Sequence, residues 1–155
     1  IALAQMNPVV GDVVGNAEKI LYWSTLALQD YQADVVIFPE LTITGYPPED
    51  LLFRAQFLQQ IESAIEMLEL NNPGLTMIFG AVTASDQRLY NSAVILQKGQ
   101  APQVYFKHFL PNYGVFDEQR YLRRDKRLEW SRLRVCVWAS QCARISGTPN
   151  LVSFL

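Results

Sequence analysis

Apolar residues along the chain fall into short runs separated by longer amphipathic stretches. Two of these runs, 1–6 and 34–38, contain β-branched residues and end at turn-forming residues, which predicts buried strands. Between them lies a stretch whose apolar residues recur at helical spacing, predicting an amphipathic helix over about 16–31 with Asn16 as its N-cap. That stripe is formed by Ile20, Trp23, Ala27 and Tyr31. This strand–helix–strand order is typical of a sheet covered by helices.

A second amphipathic stretch begins at Pro47 and Pro48 and runs to about Leu70. The residues of its apolar face are Leu51, Leu58, Ile61, Ile65 and Leu68. Three apolar runs follow, Leu75–Thr83, Tyr90–Lys98 and Gln103–Phe106, and the last two are close enough to pair as a hairpin. The order βαβαβββ predicts an α/β fold, with helices on one face of a mixed sheet and another layer on the other.

Composition narrows the class of protein. The 155 residues, half of them apolar, are enough for one domain with a core. No apolar run is long enough to span a bilayer and no secretory signal opens the chain, so the expected location is the cytoplasm, without a membrane partner. Two cysteines and one histidine make neither a disulfide framework nor a zinc site.

Basic and acidic residues are distributed unevenly along the chain. Residues 1–118 hold five basic and 13 acidic residues, whereas residues 119–155 hold eight basic and two acidic ones. A basic tail of this kind can bind nucleic acid, but its basic residues are not interleaved with aromatic ones. The split therefore favours two segments that arose under different constraints, and no nucleic-acid partner is expected.

Two residues that can carry chemistry stand at predicted strand ends. Glu40 follows the run 34–38, and Lys107 follows Gln103–Phe106. Open α/β sheets place reactive groups at the carboxyl ends of their strands. Each residue, taken alone, is better explained as a solvated surface charge, and the neighbouring His108 as a structural or surface residue.

Four segments together resemble the nitrilase (carbon–nitrogen hydrolase) superfamily and, within it, the glutaminase domains of glutamine-dependent NAD synthetases. They are Ala4–Pro8 with Gly11 and Asp12, Phe38–Leu41 with Thr44–Leu52, Tyr90–Ala93, and Lys107–Tyr121. The resemblance implies a partial nitrilase-type α-β-β-α sandwich over residues 1–121, the N-terminal half of such a domain.

The resemblance also implies roles for individual residues. Glu40 would be the general base, Lys107 the partner of the oxyanion, and Glu118 a second carboxylate that helps position the site. Tyr113 would contact bound glutamine, the small-molecule substrate. The glutaminase part would need no cofactor or metal, whereas ATP and Mg would serve a synthetase domain that is absent from this chain. The full-length family would form homo-oligomers.

The nucleophile is the point where the pattern breaks. The family's cysteine is flanked by Glu-Asp and a nearby Trp, about 20 residues beyond Tyr121 and Leu122. Cys142 falls at that distance, but its neighbours Ala143 and Arg144 are not acidic, and Cys136 comes too early. Codons for Val137–Pro149, read one base earlier, permit Gly-Ile-Ser-Met-Cys-Glu-Asp-Ile-Trp-His-Pro. We therefore hypothesise a frame shift between about Leu122 and Val137, ending at an early stop after Leu155.

This hypothesis makes residues 122–155 an aberrant tail and predicts an impaired glutaminase with exposed apolar faces that favour self-association. Three alternatives stay open at this stage. The chain could be a non-catalytic remnant of a broken gene, another nitrilase-superfamily amidase, or a nucleic-acid-binding module.

Overall fold

The computed structural model describes residues 1–110, residues 117–124 and the backbone of residues 151–154. Its strands and helices follow one another in an alternating order and then as a run of strands. They are β1 (Ala2–Gln5), α1 (Val13–Tyr31), β2 (Val35–Ile37), a 3-10 helix (Glu49–Phe53), α2 (Ala55–Leu70), β3 (Thr76–Ser85), β4 (Arg88–Leu96), β5 (Gln103–Phe106), α3 (Glu118–Tyr121) and β6 (Leu151–Phe154).

The strands form one mixed sheet in the order β5-β4-β3-β2-β1-β6. Strands β1, β2 and β3 are parallel, while β4 and β5 extend the sheet by antiparallel hairpin pairing and β6 lies antiparallel to β1. The predicted order of strands and helices up to residue 106 and the α/β class are confirmed. The carboxyl ends of β2, β3 and β5 point to the same edge of the sheet.

The predicted Asn16 cap and the predicted single helix after Pro48 are both wrong. Helix α1 begins at Val13, three residues before the predicted start, because the Asp12 side chain accepts a hydrogen bond from the Gly15 N–H and caps the helix. Asn16 is therefore a buried residue of the first turn. The second amphipathic stretch is two elements, since the extended backbone of Arg54 separates the 3-10 helix from α2.

The main core fills the space between α1, α2 and one face of the sheet. Its largest fully buried side chains include Ile20, Phe38, Leu41, Ile43, Ile61, Leu68, Met77, Phe79 and Leu96. Strand residues alternate between the two faces of a sheet, so the opposite face carries a second row of aliphatic side chains. In that row Leu3, Ile37, Ile78 and Ile95 are register partners across β1–β4. Across the described segments, no helix is both long enough and apolar enough to cross a bilayer.

Candidate active site

The backbone that carries Glu40 runs beside β3 after β2 has ended. The Phe38 N–H donates to Ile78 O at 2.8 Å, and the Gly80 N–H donates to Pro39 O at 3.2 Å. The Ile43 N–H then donates to Gly80 O at 3.1 Å, so both ends of the turn are hydrogen-bonded to the same residue of β3. Glu40 therefore sits on a turn whose two ends are both fixed to the sheet.

Gly80 is the residue that lets this turn lie against β3. A Cβ atom at that position would be 2.1 Å from Leu41 N and 2.7 Å from Glu40 Cα. Both neighbours are backbone atoms, which cannot move aside by changing rotamer. A glycine is needed where another backbone approaches a strand this closely.

Asn16 fixes the far side of the same turn. Its Nδ2 donates to Val9 O at 2.8 Å and to Ile43 O at 3.1 Å, while its Oδ1 accepts from the Val9 N–H at 2.9 Å. The side chain is fully buried and well supplied with partners. Residues 41–45 are buried as well, so the loop after Glu40 is a packed part of the core.

Lys107 links Glu40 to a second carboxylate. It follows β5, and its N–H donates to Asn91 O on β4 at 2.8 Å. Its Nζ lies 2.6 Å from Glu40 Oε1 and 3.1 Å from Glu118 Oε2. The side chains of Lys107 and Glu40 are 23% and 20% exposed and that of Glu118 is 7% exposed, so this ion-pair network is largely shielded from water.

The short helix α3 brings Glu118 to the ammonium group. The chain that follows α3 is held to the sheet, because the Arg123 N–H donates to Leu89 O on β4 at 2.8 Å. The Tyr121 hydroxyl donates to Asp50 Oδ1 at 2.7 Å. On the other side, the Tyr46 hydroxyl lies 3.4 Å from Glu118 Oε1. Glu118 is thus placed by contacts from several parts of the chain.

Burial raises the pKa of the Glu118 carboxyl above its ordinary value of 4.5. The nearby charge of Lys107 lowers that pKa, and the charge of Glu40 raises it. Hydrogen bonds from Lys107 and Asn91 also favour the ionised form, but they do not cancel the effect of burial. The site therefore holds a carboxyl that takes up a proton more readily than an exposed glutamate.

This shift gives Glu118 a defined effect on stability. Between 4.5 and the raised folded-state pKa, the folded chain binds more protons than the unfolded chain, so the contribution of Glu118 to the free energy of unfolding falls as pH rises. We expect Glu118→Gln to remove this slope, making the variant gain stability relative to the wild type from pH 4.5 to neutral pH. Urea unfolding across that range measures the difference, and a constant difference at every pH would contradict the raised pKa.

The structure brings together three residues that the sequence singled out, Glu40, Lys107 and Glu118. Tyr113 and Cys142, like Cys136 and most of the tail 122–155, lie outside the described residues. Within the described ranges, no group of three or more His, Cys, Asp and Glu residues is arranged to hold a metal ion. A depression of about 540 Å³ at the opposite edge of the sheet includes none of the site residues.

Asn91, Gly80 and Tyr46 all contact the site, although no role could be predicted for them from the sequence. Asn91 and Tyr46 stand in the segments that carry the family resemblance, which was the only signal for them. Gly80 gave no signal, because its importance depends on the turn that packs against it.

The chain matches the family model for carbon-nitrogen hydrolases over residues 1–147. It belongs to the carbon-nitrogen hydrolase family. The glutamine-dependent NAD(+) synthetase of Xylella fastidiosa is 45% identical over 125 residues, which are 81% of this chain and 23% of that protein. The same enzyme of Synechocystis is 41% identical over 138 residues, 84% of this chain and 25% of the relative. The chain thus spans about a quarter of the length of these curated relatives.

Solved structures share the fold of this chain. A glutamine-dependent NAD+ synthetase from Acinetobacter baumannii is 39% identical with a TM-score of 0.75, covering 81% of this chain and 24% of that one. An amidase from Nesterenkonia is 19% identical with a TM-score of 0.69, covering 81% and 48%. The second likeness concerns the fold alone, and together they place the sheet and its helices in the nitrilase-type architecture.

Proposed function

We propose that this chain carries the base and the oxyanion-binding cation of a glutamine amidohydrolase. The observation that supports this most strongly is the Lys107 ammonium group, held between Glu40 at 2.6 Å and Glu118 at 3.1 Å. A carboxylate at the edge of a shielded site can take a proton from a thiol and later from water. A fixed ammonium group beside it can stabilise the negative oxygen of a tetrahedral intermediate.

In the proposed reaction a cysteine thiolate attacks the side-chain amide carbon of glutamine, after Glu40 has taken the thiol proton. The tetrahedral oxyanion lies against Lys107 and collapses to a thioester, and the amide nitrogen leaves as ammonia with the proton that Glu40 returns. Water, deprotonated by Glu40, then releases glutamate and the free thiol. Glu118 holds Lys107 in place, and Tyr113 contacts the glutamine.

Glutamine is the proposed substrate because the relatives at 40–45% identity are named glutamine-dependent NAD(+) synthetases. In a protein of that kind the ammonia would amidate deamido-NAD in a separate synthetase domain that uses ATP and Mg. That domain is not part of these 155 residues. The proposed contribution of this chain is limited to ammonia release.

The nucleophile is proposed to be displaced by a shifted reading frame, which leaves this chain an impaired glutaminase. Cys142 has the position of the family's cysteine but lacks the Glu-Asp pair that follows it in the family, and the neighbouring frame permits that pair at the same place. A thiol without such neighbours has no assured means of becoming a thiolate.

Two linked measurements test this proposal. Resequencing the gene is expected to locate a one- or two-base change between the codons of Leu122 and Val137, after which the neighbouring frame continues. The purified 155-residue chain is expected to release no ammonia from glutamine above the background of a Glu40→Gln variant. In-frame codons through Leu155, together with ammonia release that both Cys142→Ala and Glu40→Gln abolish, would show that the nucleophile is intact.

A further inference from the structure

Asn91 contacts the backbone or side chains of all three charged residues in the site. It lies on β4 and is 3% exposed. Its Nδ2 donates to Glu40 Oε1 at 2.5 Å, and its backbone oxygen accepts from the Lys107 N–H at 2.8 Å. A hydrogen bond from its side chain also lowers the pKa of Glu118. One amide group with two N–H donors can serve both carboxylates.

The geometry at Glu40 is asymmetric. Asn91 Nδ2 and Lys107 Nζ both donate to the same oxygen, Oε1, at 2.5 Å and 2.6 Å. From the residues that the structure describes, Oε2 receives no hydrogen bond. A carboxylate that is held in this way has one oxygen tied to the protein and the other available to exchange a proton.

We infer that Asn91 is a positioning residue, which together with Lys107 ties one oxygen of Glu40 and so presents the other for proton transfer. This rests on the proposed role of Glu40 as the base. Asn91 is suited to the task because its amide donates without adding charge, whereas an aspartate would place a third carboxylate beside Glu40 and Glu118. Its backbone contact with Lys107 does not depend on the side chain, so a substitution isolates the amide.

The chain itself offers a matched control. Asn72 is also a buried asparagine, 6% exposed, and its side chain bonds Leu96 O and the Gly74 N–H at a point remote from the site. Asn72→Ala therefore reports the cost of losing a buried amide with a structural role only. Asn91→Ala and the milder Asn91→Ser remove the donor to the carboxylates, and the serine variant retains a small polar side chain if the alanine variant does not fold.

The test follows the carboxyl carbon of Glu118 by NMR as a function of pH in the 155-residue chain labelled with ¹³C-glutamate. Loss of one hydrogen bond to an ionised carboxylate corresponds to about 1 to 2 pH units. We expect Asn91→Ala and Asn91→Ser to raise the Glu118 midpoint by that amount, while Asn72→Ala leaves it in place. The Asn91 side-chain amide protons should also lose their downfield shift in Glu40→Gln.

Asn91 amide protons that do not respond to Glu40→Gln would overturn the inference and leave Asn91 a core residue, whereas unchanged Glu118 midpoints with responding amide protons would confine its positioning role to Glu40. These readouts need no substrate, so they stand apart from the proposed function. The Glu118 midpoint and the Asn91 amide protons could both shift as expected while the protein translated through the neighbouring reading frame fails to hydrolyse glutamine. That result would refute the proposed function but keep the placement of Glu40 by Asn91.

Discussion

Replacing Gly80 by Ala is expected to lower the free energy of unfolding by about 3 kcal/mol or more. The new Cβ would lie 2.1 Å from Leu41 N and 2.7 Å from Glu40 Cα, distances that require the backbone of the turn to move. The hydrogen bonds that fix the turn to Gly80 would be strained at the same time. Urea unfolding of the two chains under identical conditions measures the loss.

The matched control for this substitution is Gly99→Ala. Gly99 lies in the turn between β4 and β5 with φ of +76°, and a Cβ atom added there would meet nothing within 4 Å, so its replacement costs only backbone strain, about 1 kcal/mol. A clash at Gly80 also displaces Glu40, which should shift the Lys107 and Glu118 side-chain signals in NMR spectra. Equal stability losses at both positions would show that the turn does not press against β3.

Replacing Lys107 by Met is expected to lower the free energy of unfolding by about 2 to 3 kcal/mol at neutral pH. Methionine keeps the apolar length of the side chain but removes the charge between Glu40 and Glu118, which then face each other without a cation. The cost stays below that of a fully buried pair, because Lys107 and Glu40 are each about a fifth exposed. Urea unfolding at neutral pH measures the change.

The loss should shrink as pH falls. Lys107 lowers the pKa of Glu118, so its removal raises that pKa further, and the variant loses stability over a wider range as pH rises above 4.5. Below pH 4.5 the Glu118 carboxyl is protonated and neutral, so the loss of the Lys107 charge costs less stability. Lys98→Met, at an exposed lysine, is the control and should change stability little. A Lys107→Met loss that is the same at all pH values would contradict the ion-pair network.

Much of the fold could be predicted because its signals are local. Short apolar runs and helical periodicity depend on the nearest neighbours in sequence, and they gave the order of strands and helices up to Phe106. The wrong predictions concern residues whose role is set by tertiary contacts. The residue type of Asn16 predicts a cap, whereas its amide joins the loop at Val9 to the turn at Ile43, 27 residues beyond Asn16.

The residues of the site likewise divide into those that have a signal in the sequence and those that have none. Glu40 and Lys107 were identified as candidates because strand ends are visible in the sequence, and Glu118 through the family resemblance. Gly80 and Asn91 matter through the register of β3 with β4 and the turn that lies over them, which no local pattern encodes. Gly80 lies beside Glu40, and Asn91 contacts both Glu40 and Lys107, and these contacts exist only in the folded chain.

The most direct test of the central claim is ammonia release from glutamine by the protein translated through the neighbouring frame of the same gene, measured beside asparagine and a short aliphatic amide. We predict that glutamine is the preferred substrate and that Glu40→Gln lowers kcat/KM on the order of 10³-fold, within the range for loss of a general base. Hydrolysis of the aliphatic amide but not of glutamine, or glutamine hydrolysis that is indifferent to Glu40→Gln, would contradict the proposed function.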